Sequence, residues 1–507
     1  MGICFSSQPR QPDVVPTDDI IPLRFWDTAK SMRGTVLDIS LKFDDVLDIA
    51  KLRDALDDLF EIEGWKQLGA RIRINNGKLE YHVPASFDAS RPAYHLTISN
   101  HKMSIQDHDL GKKLPKAGNK GLMFNTPDNL SPHLRSAESP TKLDDWLYTD
   151  RPQLSIHAVK FKDATVLTVT WIHTLADVMG IKTFLNAWTA ILRRDEKTVP
   201  KLRSFRSDPL SELGQCTPAE KYIYYNRVFG RKDFLWFIGL NILERILHRQ
   251  EERRMICLPA SSMKHLHSRA MAEVENITSL NEKSTLFVSE SDVLLAWWVH
   301  TLNGAMGLQA SQPIMVNNAL NLRTSPEDFF DSENDVYMGN ALCMCPTFFQ
   351  GSQLADESLG QIALRIRQSL AQQRSTEQVE AMTSLQMQTM EKTGYLALVG
   401  DPRMVLLSCS NWHKARLYDV DFSPAIIPST KSESEERQIT SPGKPSYVNG
   451  VQHSSISFRN VMSVVGKDSA GNWWFTGVLR TSVWVQVQEQ LDLIGMVEHG
   501  KSKTSVP

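Results

Sequence analysis

The residues best suited to chemistry lie in the run His173-Thr-Leu-Ala-Asp177-Val-Met-Gly180, placed where a strand pattern gives way to a helix pattern. A histidine at a strand end is held rigidly yet faces a cleft. Its imidazole titrates near neutrality, which suits it to take a proton from a hydroxyl or an amine. Asp177 opens the helix pattern, where free backbone N–H groups stabilise a carboxylate. The same two residues also fit a capped helix beside a core histidine, and their spacing alone does not separate the two readings. Cys409 beside Ser410 offers a thiol, although unpaired cysteine more commonly sits buried and inert. Cys343 and Cys345 alternate along a strand and share a face, but no further ligand stands at zinc spacing, so no metal is expected. His265, His267 and His413 have no partner pattern. No glycine-rich phosphate loop occurs.

Further segments follow His173 to Gly180 in a fixed order. They are Ser289-Glu-Ser-Asp-Val-Leu-Leu-Ala-Trp-Trp298, Asn321-Leu-Arg323, Tyr337-Met-Gly339-Asn340-Ala341, Ser410-Asn-Trp412 and Asp421-Phe422-Ser-Pro-Ala425. Together the set resembles the HxxxD acyltransferases, the plant BAHD family and the fungal transferases related to trichothecene 3-O-acetyltransferase. The resemblance runs from about Ile21 to Leu493. It departs where that family has DFGWG: only Asp421 and Phe422 remain, in a motif that supports structure away from the chemistry.

The resemblance implies two similar mixed-sheet α/β domains of the chloramphenicol acetyltransferase type with a tunnel at their interface. It implies no bound cofactor and acyl-CoA, by default acetyl-CoA, as co-substrate. His173 would be the general base, and the acceptor would attack the thioester directly. Ser410 and Trp412 would donate to the oxyanion. Asp177 would point away from the site and pair with Arg323, while Gly180, Tyr337, Gly339, Asn340, Asp421 and Phe422 give structural support. The acceptor would be a small hydroxylated natural product, a terpenoid or polyketide, and the enzyme a monomer. Three alternatives remain: an N-acyltransferase, a carrier-dependent condensation-type enzyme, and a non-catalytic binding protein on the same fold. Ile172 stands where condensation-type motifs carry a second histidine.

These residues need a scaffold, and 507 residues suffice for two large domains. With 56 Lys and Arg against 58 Asp and Glu, a general nucleic-acid binder is excluded. Six cysteines without CxxC spacing point to reduced, cytoplasmic surroundings. Periodicity predicts a helix over 44–62, a hairpin around Asn75-Asn-Gly77, strands at 155–161 and 165–172, and a helix over 177–194. The polar stretch 102–145 reads as a long surface loop. The second half reads as a helix at 289–302, strands at 313–322, 340–348 and 405–408, helices over 355–399, a solvated loop at 429–450 and a hairpin of 458–465 with 473–487. This divides the chain into a tail (1–18), an N-terminal domain (19–215), a crossover (216–260) and a C-terminal domain (261–507).

Two features stand apart. Met-Gly2-Ile-Cys4-Phe-Ser fits N-myristoylation at Gly2 with a second acyl chain at Cys4, which would give a peripheral membrane contact through the N-terminus. The run Phe234 to Leu243 fits a buried core helix, and alternatively a helix at a membrane surface or a substrate entrance. No run reaches the length of a membrane-spanning helix.

Overall fold

Runs of β-branched residues become the strands of two mixed sheets in the computed structural model, which describes residues 10–125, 127–278, 286–324, 330, 335–428, 441–454 and 459–502. Gly2 and Cys4 lie outside the described residues. One sheet has five strands in the order Tyr447–Ser454, Thr35–Phe43, Thr165–Ile172, Ser155–Lys160 and His95–Asn100. The other has seven: Leu342–Gln350, Pro313–Asn321, Val405–Asn411, Val461–Lys467, Trp473–Arg480, Glu251–Leu258 and Leu122–Phe124. Asp19–Pro22, Arg71–Asn75 and Lys78–Val83 make a small third sheet. Its hairpin turns at Asn76 and Gly77, both at positive φ as a tight two-residue turn requires.

Each large sheet carries helices on its apolar face. Asp48 caps helix Ile49–Glu61 and Asp177 caps helix Val178–Leu192. Both helices send Leu, Ile and Phe side chains into the first core, where the Trp188 indole donates to Leu52 O at 3.0 Å. On the second sheet, Ser289 and Asp292 form a capping box for helix Glu290–Ala305. That helix packs with Ala260–Thr278, Leu359–Gln373 and Trp484–Ser502 around Trp298, Phe475 and Trp484.

The two sheets exchange segments between the expected stretches 19–215 and 261–507. Tyr447–Ser454 leaves the second half and pairs with Thr35 to Lys42 of the strand Thr35–Phe43. Leu122–Phe124 leaves the first half and pairs with Met255–Cys257 of the second sheet. Phe422 is also carried across: fully buried, it meets Phe43 and Trp188 edge-on at 5.4 and 5.1 Å in the first core. Asp421 beside it accepts from Ser423 N at 2.8 Å and fixes the turn.

Three local expectations change with this. The stretch 102–145 holds short helices and an edge strand, because Ile105, Leu110, Leu130 and Leu134 pack into the first core and Leu122–Phe124 pairs with the second sheet. The expected strand to 487 stops at Arg480, and Trp484 begins a helix whose Trp, Val and Leu fall on one buried face. The apolar run at 234–243 forms helix Arg231–Leu247, but it is no core helix: only Phe237 is buried.

Candidate functional site

The strand Thr165–Ile172 is buried throughout, and its ladder continues one step further as His173 N donates to Thr35 O at 2.9 Å. The chain then turns over Thr174 to Ala176, and Asp177 starts the next helix by accepting from Gly180 N at 2.9 Å. The other carboxylate oxygen of Asp177 receives Arg323 Nη1 at 2.8 Å and Ala341 N at 3.1 Å. Arg323 also donates through Nε to Tyr337 O at 3.1 Å and through Nη2 to Gly339 O. Asp177 therefore ties the histidine turn to segments 321–323 and 337–341 of the second half, and its carboxylate is used up in doing so. Gly180 lets them approach, since a Cβ there would stand 2.0 Å from Met338 O.

Asn340 holds the turn from the other side. Its side-chain amide donates to His173 O at 2.8 Å and to Asp27 Oδ1 at 2.7 Å, and its backbone N donates to the same Asp27 oxygen at 3.1 Å. Asp27 was not legible as a site residue: it sits in a four-residue helix with no motif around it. Burial pushes its carboxyl up to about 7, against the two Asn340 hydrogen bonds that favour the charged form. Burial likewise holds the His173 imidazole below its ordinary value, so it is neutral at pH 7 and free to accept a proton. The side chain itself is partly exposed.

Ser410 and Trp412 lie on the other sheet. The Trp412 indole N–H donates to Ser410 Oγ at 2.8 Å, and Trp412 N donates to Val464 O at 2.9 Å. The indole reaches across to the first sheet, where it fills the place a Cβ on Gly450 would take, 2.4 Å from its ring. Gly450 pairs with Ile39, and Ser454, four residues along the same strand, pairs with Thr35. Thr35 is the residue that receives the His173 N–H. Gly450, Gln452, Ser454, Thr35 and the His173 position thus share one face of the first sheet, with His173 two strands, about 10 Å, from Ser454.

Trp412, Gly450, Gln452, His453 and Ser454 line a cleft of about 520 Å³ between the sheets, rimmed by Lys142, Glu251 and Arg253. Its wall includes a polar cluster outside any motif: buried Asp38 accepts from Thr170 Oγ1 at 2.5 Å and pairs with His453 Nε2 at 2.6 Å and Arg135 Nε at 3.0 Å. A larger cleft of about 740 Å³ lies by the edge strand Leu122–Phe124 and holds none of the motif residues.

The remaining candidates are accounted for by packing. Cys409 is buried and its thiol is pushed up to about 12, so it stays protonated and unreactive. Cys343 and Cys345 are buried together in a small apolar cluster. The His413 ring lies tilted against that of Trp473, centroids 4.7 Å apart, and His267 Nε2 meets Val288 O at 2.8 Å. Among the described residues no three His, Cys, Asp or Glu side chains could hold a metal ion.

Comparison with known proteins places the chain in a transferase family and gives its fold. The Transferase family profile matches residues 128–456. The acetyltransferase adrJ of Penicillium rubens is 63% identical over 496 residues, covering 98% of this chain and all of its own. The O-acetyltransferase PaAT-2 of Phomopsis amygdali is 34% identical over 491 residues, covering 94% of this chain and 98% of its own. The crystal structure of F. graminearum TRI101 complexed with ethyl coenzyme A shares the fold, with a TM-score of 0.66 at 16% identity over 93% of this chain and 97% of that one.

Proposed function

This chain belongs to the Transferase family as an acyl-CoA-dependent O-acyltransferase, and we propose that it moves an acetyl group from acetyl-CoA to a hydroxyl of a terpenoid or polyketide. The observation that carries the reading is the clamp on the His173 turn. Asp177, Arg323 and Asn340 fix the backbone on either side of a neutral imidazole and leave its ring free.

In this mechanism the neutral imidazole of His173, whose Nδ1 makes no hydrogen bond within the chain, acts through Nε2 as the base. Nε2 takes the acceptor's hydroxyl proton as that oxygen attacks the thioester carbonyl carbon. The C–O bond forms, and the carbonyl electron pair moves onto oxygen. Ser410 is the donor to that oxyanion. Its Oγ already accepts the Trp412 indole N–H, which orients the hydroxyl proton outward, so Trp412 acts as a positioning residue. The oxyanion then collapses, the C–S bond breaks, and the imidazolium returns its proton to the departing CoA thiolate. Asp177 makes no contact with the reacting atoms. It acts with Arg323 to hold the turn.

The test is thiol release from acetyl-CoA with a panel of alcohols and no carrier protein. His173→Ala is expected to lose about 10²–10⁴ in kcat, and Ser410→Ala about 10²–10³. Equal rates for wild type and His173→Ala would overturn the enzyme reading in favour of a binding protein. Turnover only with an acyl carrier would favour a condensation-type enzyme, and turnover of amines over alcohols an N-acyltransferase.

A further inference from the structure

Helix Arg231–Leu247 is built inside out. Toward the body it places buried Phe237 and half-buried Leu240, together with Glu244, which pairs with Arg459. Toward solvent it presents Leu235, Trp236, Ile242, Leu243, Ile246 and Leu247, with Leu235 70% and Leu247 67% exposed. Tyr395 and Leu396 extend the patch beside Phe234, whose ring lies 6.0 Å from that of Tyr395. Single exposed apolar residues are ordinary on a soluble protein, but a contiguous band along a whole helix marks an interaction surface.

We propose that this face seats the enzyme on an anionic lipid surface. Charge supports that occupant over an acidic or neutral partner. Exposed Arg231 and Lys232 stand at one end of the helix and exposed Arg249 at the other, and residues 231–249 hold four Arg and Lys against two Asp and Glu. The negative partners are turned inward: Asp233 caps the helix by accepting from Gly230 N, and Glu244 and Glu251 hold Arg459. An apolar band with tryptophan and cationic ends is the pattern of a helix lying in the headgroup region. Area also argues against a second copy of the chain. Seventeen residues make a strip about 25 Å long and about 10 Å wide, short of the roughly 800 Å² per partner that a stable dimer buries. No helix among the described residues is long and apolar enough to cross a membrane, so the contact is peripheral.

The placement has a consequence for access. Arg459 joins Glu244 on the helix to Glu251, and Glu251 lies on the rim of the 520 Å³ cleft beside Trp412. A bilayer under the helix therefore lies beside that rim, where an apolar acceptor dissolved in lipid can pass into the cleft.

Vesicle flotation of the full chain tests this, with Gly2→Ala carried throughout so that no N-terminal acyl chain contributes. The probes are phosphatidylcholine vesicles with and without phosphatidylserine. The protein is expected to float with the anionic vesicles. Leu235→Ser, Ile242→Ser and Ile246→Ser together should leave it in the soluble fraction, with thermal unfolding and turnover of a water-soluble alcohol unchanged. Arg231→Glu with Lys232→Glu should weaken anionic-vesicle binding by roughly tenfold or more. A Gly2→Ala chain that stays soluble with both vesicles overturns the proposal, as does a serine variant that floats like that chain. A dimer that the serine variant converts to monomer assigns the face to a second copy instead.

Discussion

Asp27 and His173 are linked through one asparagine side chain and shifted in opposite directions by the same burial. A carboxyl raised from 3.8 to about 7 binds its proton more tightly folded than unfolded. Its contribution to stability is therefore full below the unfolded value and is lost as pH rises through about 7. Asp27→Asn keeps the acceptor for Asn340 and cannot ionise. Its unfolding temperature relative to wild type should climb between pH 5 and pH 8, which a thermal melt series reads directly; a constant difference would mean that Asp27 does not titrate there. The depressed imidazole of His173 has the reverse sign. It stays neutral to lower pH than a free histidine, so the acid limb of kcat/KM is expected below the ordinary histidine value. Asp177→Ala would leave the largely buried Arg323 without its anion, at a cost of about 3–5 kcal/mol, so it should lose folded protein as well as activity. Arg323 was legible in the order of the motifs. Asp27 was not, because a lone aspartate in a short helix gives no signal until Asn340 folds onto it.

The strand Tyr447–Ser454 shows how an element misreads. Asn449-Gly450 is a turn dipeptide, and the run before it is polar, so the sequence reads as loop. In the fold, Gly450 is a strand residue because the Trp412 indole occupies the space where a Cβ would stand. Gly450→Ala is accordingly expected to push the indole off Ser410. It should lower kcat much more than it raises KM for acetyl-CoA, at a packing cost of about 1–3 kcal/mol. Unchanged kcat would mean that the indole does not align the serine. The helix Arg231–Leu247 misreads in the other direction. Its composition is that of a core helix, and only the position of its neighbours reveals that the apolar side faces out.

Across the whole molecule, the two sheets are bound by exchange. Thr35–Phe43 is an interior strand only because Tyr447–Ser454 covers its edge, and Phe422 fills the first core from the second half. Residues 19–215 produced alone would expose that strand edge and lack that side chain, so they are expected to aggregate. Producing the two halves together should restore soluble protein; a folded, monomeric 19–215 fragment would show that the exchange is dispensable. The sequence by itself determined the mixed α/β class, the motif order and the helix start at Asp177, because periodicity and capping are local and repeat wherever the chemistry is the same, while the helix expected from 44 begins only at Ile49. Tertiary structure decided what depends on contacts between distant residues. It made Gly450 a strand residue, gave Asp27 a place beneath His173, and turned an apolar helix outward. The Gly450, Asp27 and helix placements depend on neighbours far away in the chain, and no spacing along the chain records where those neighbours arrive.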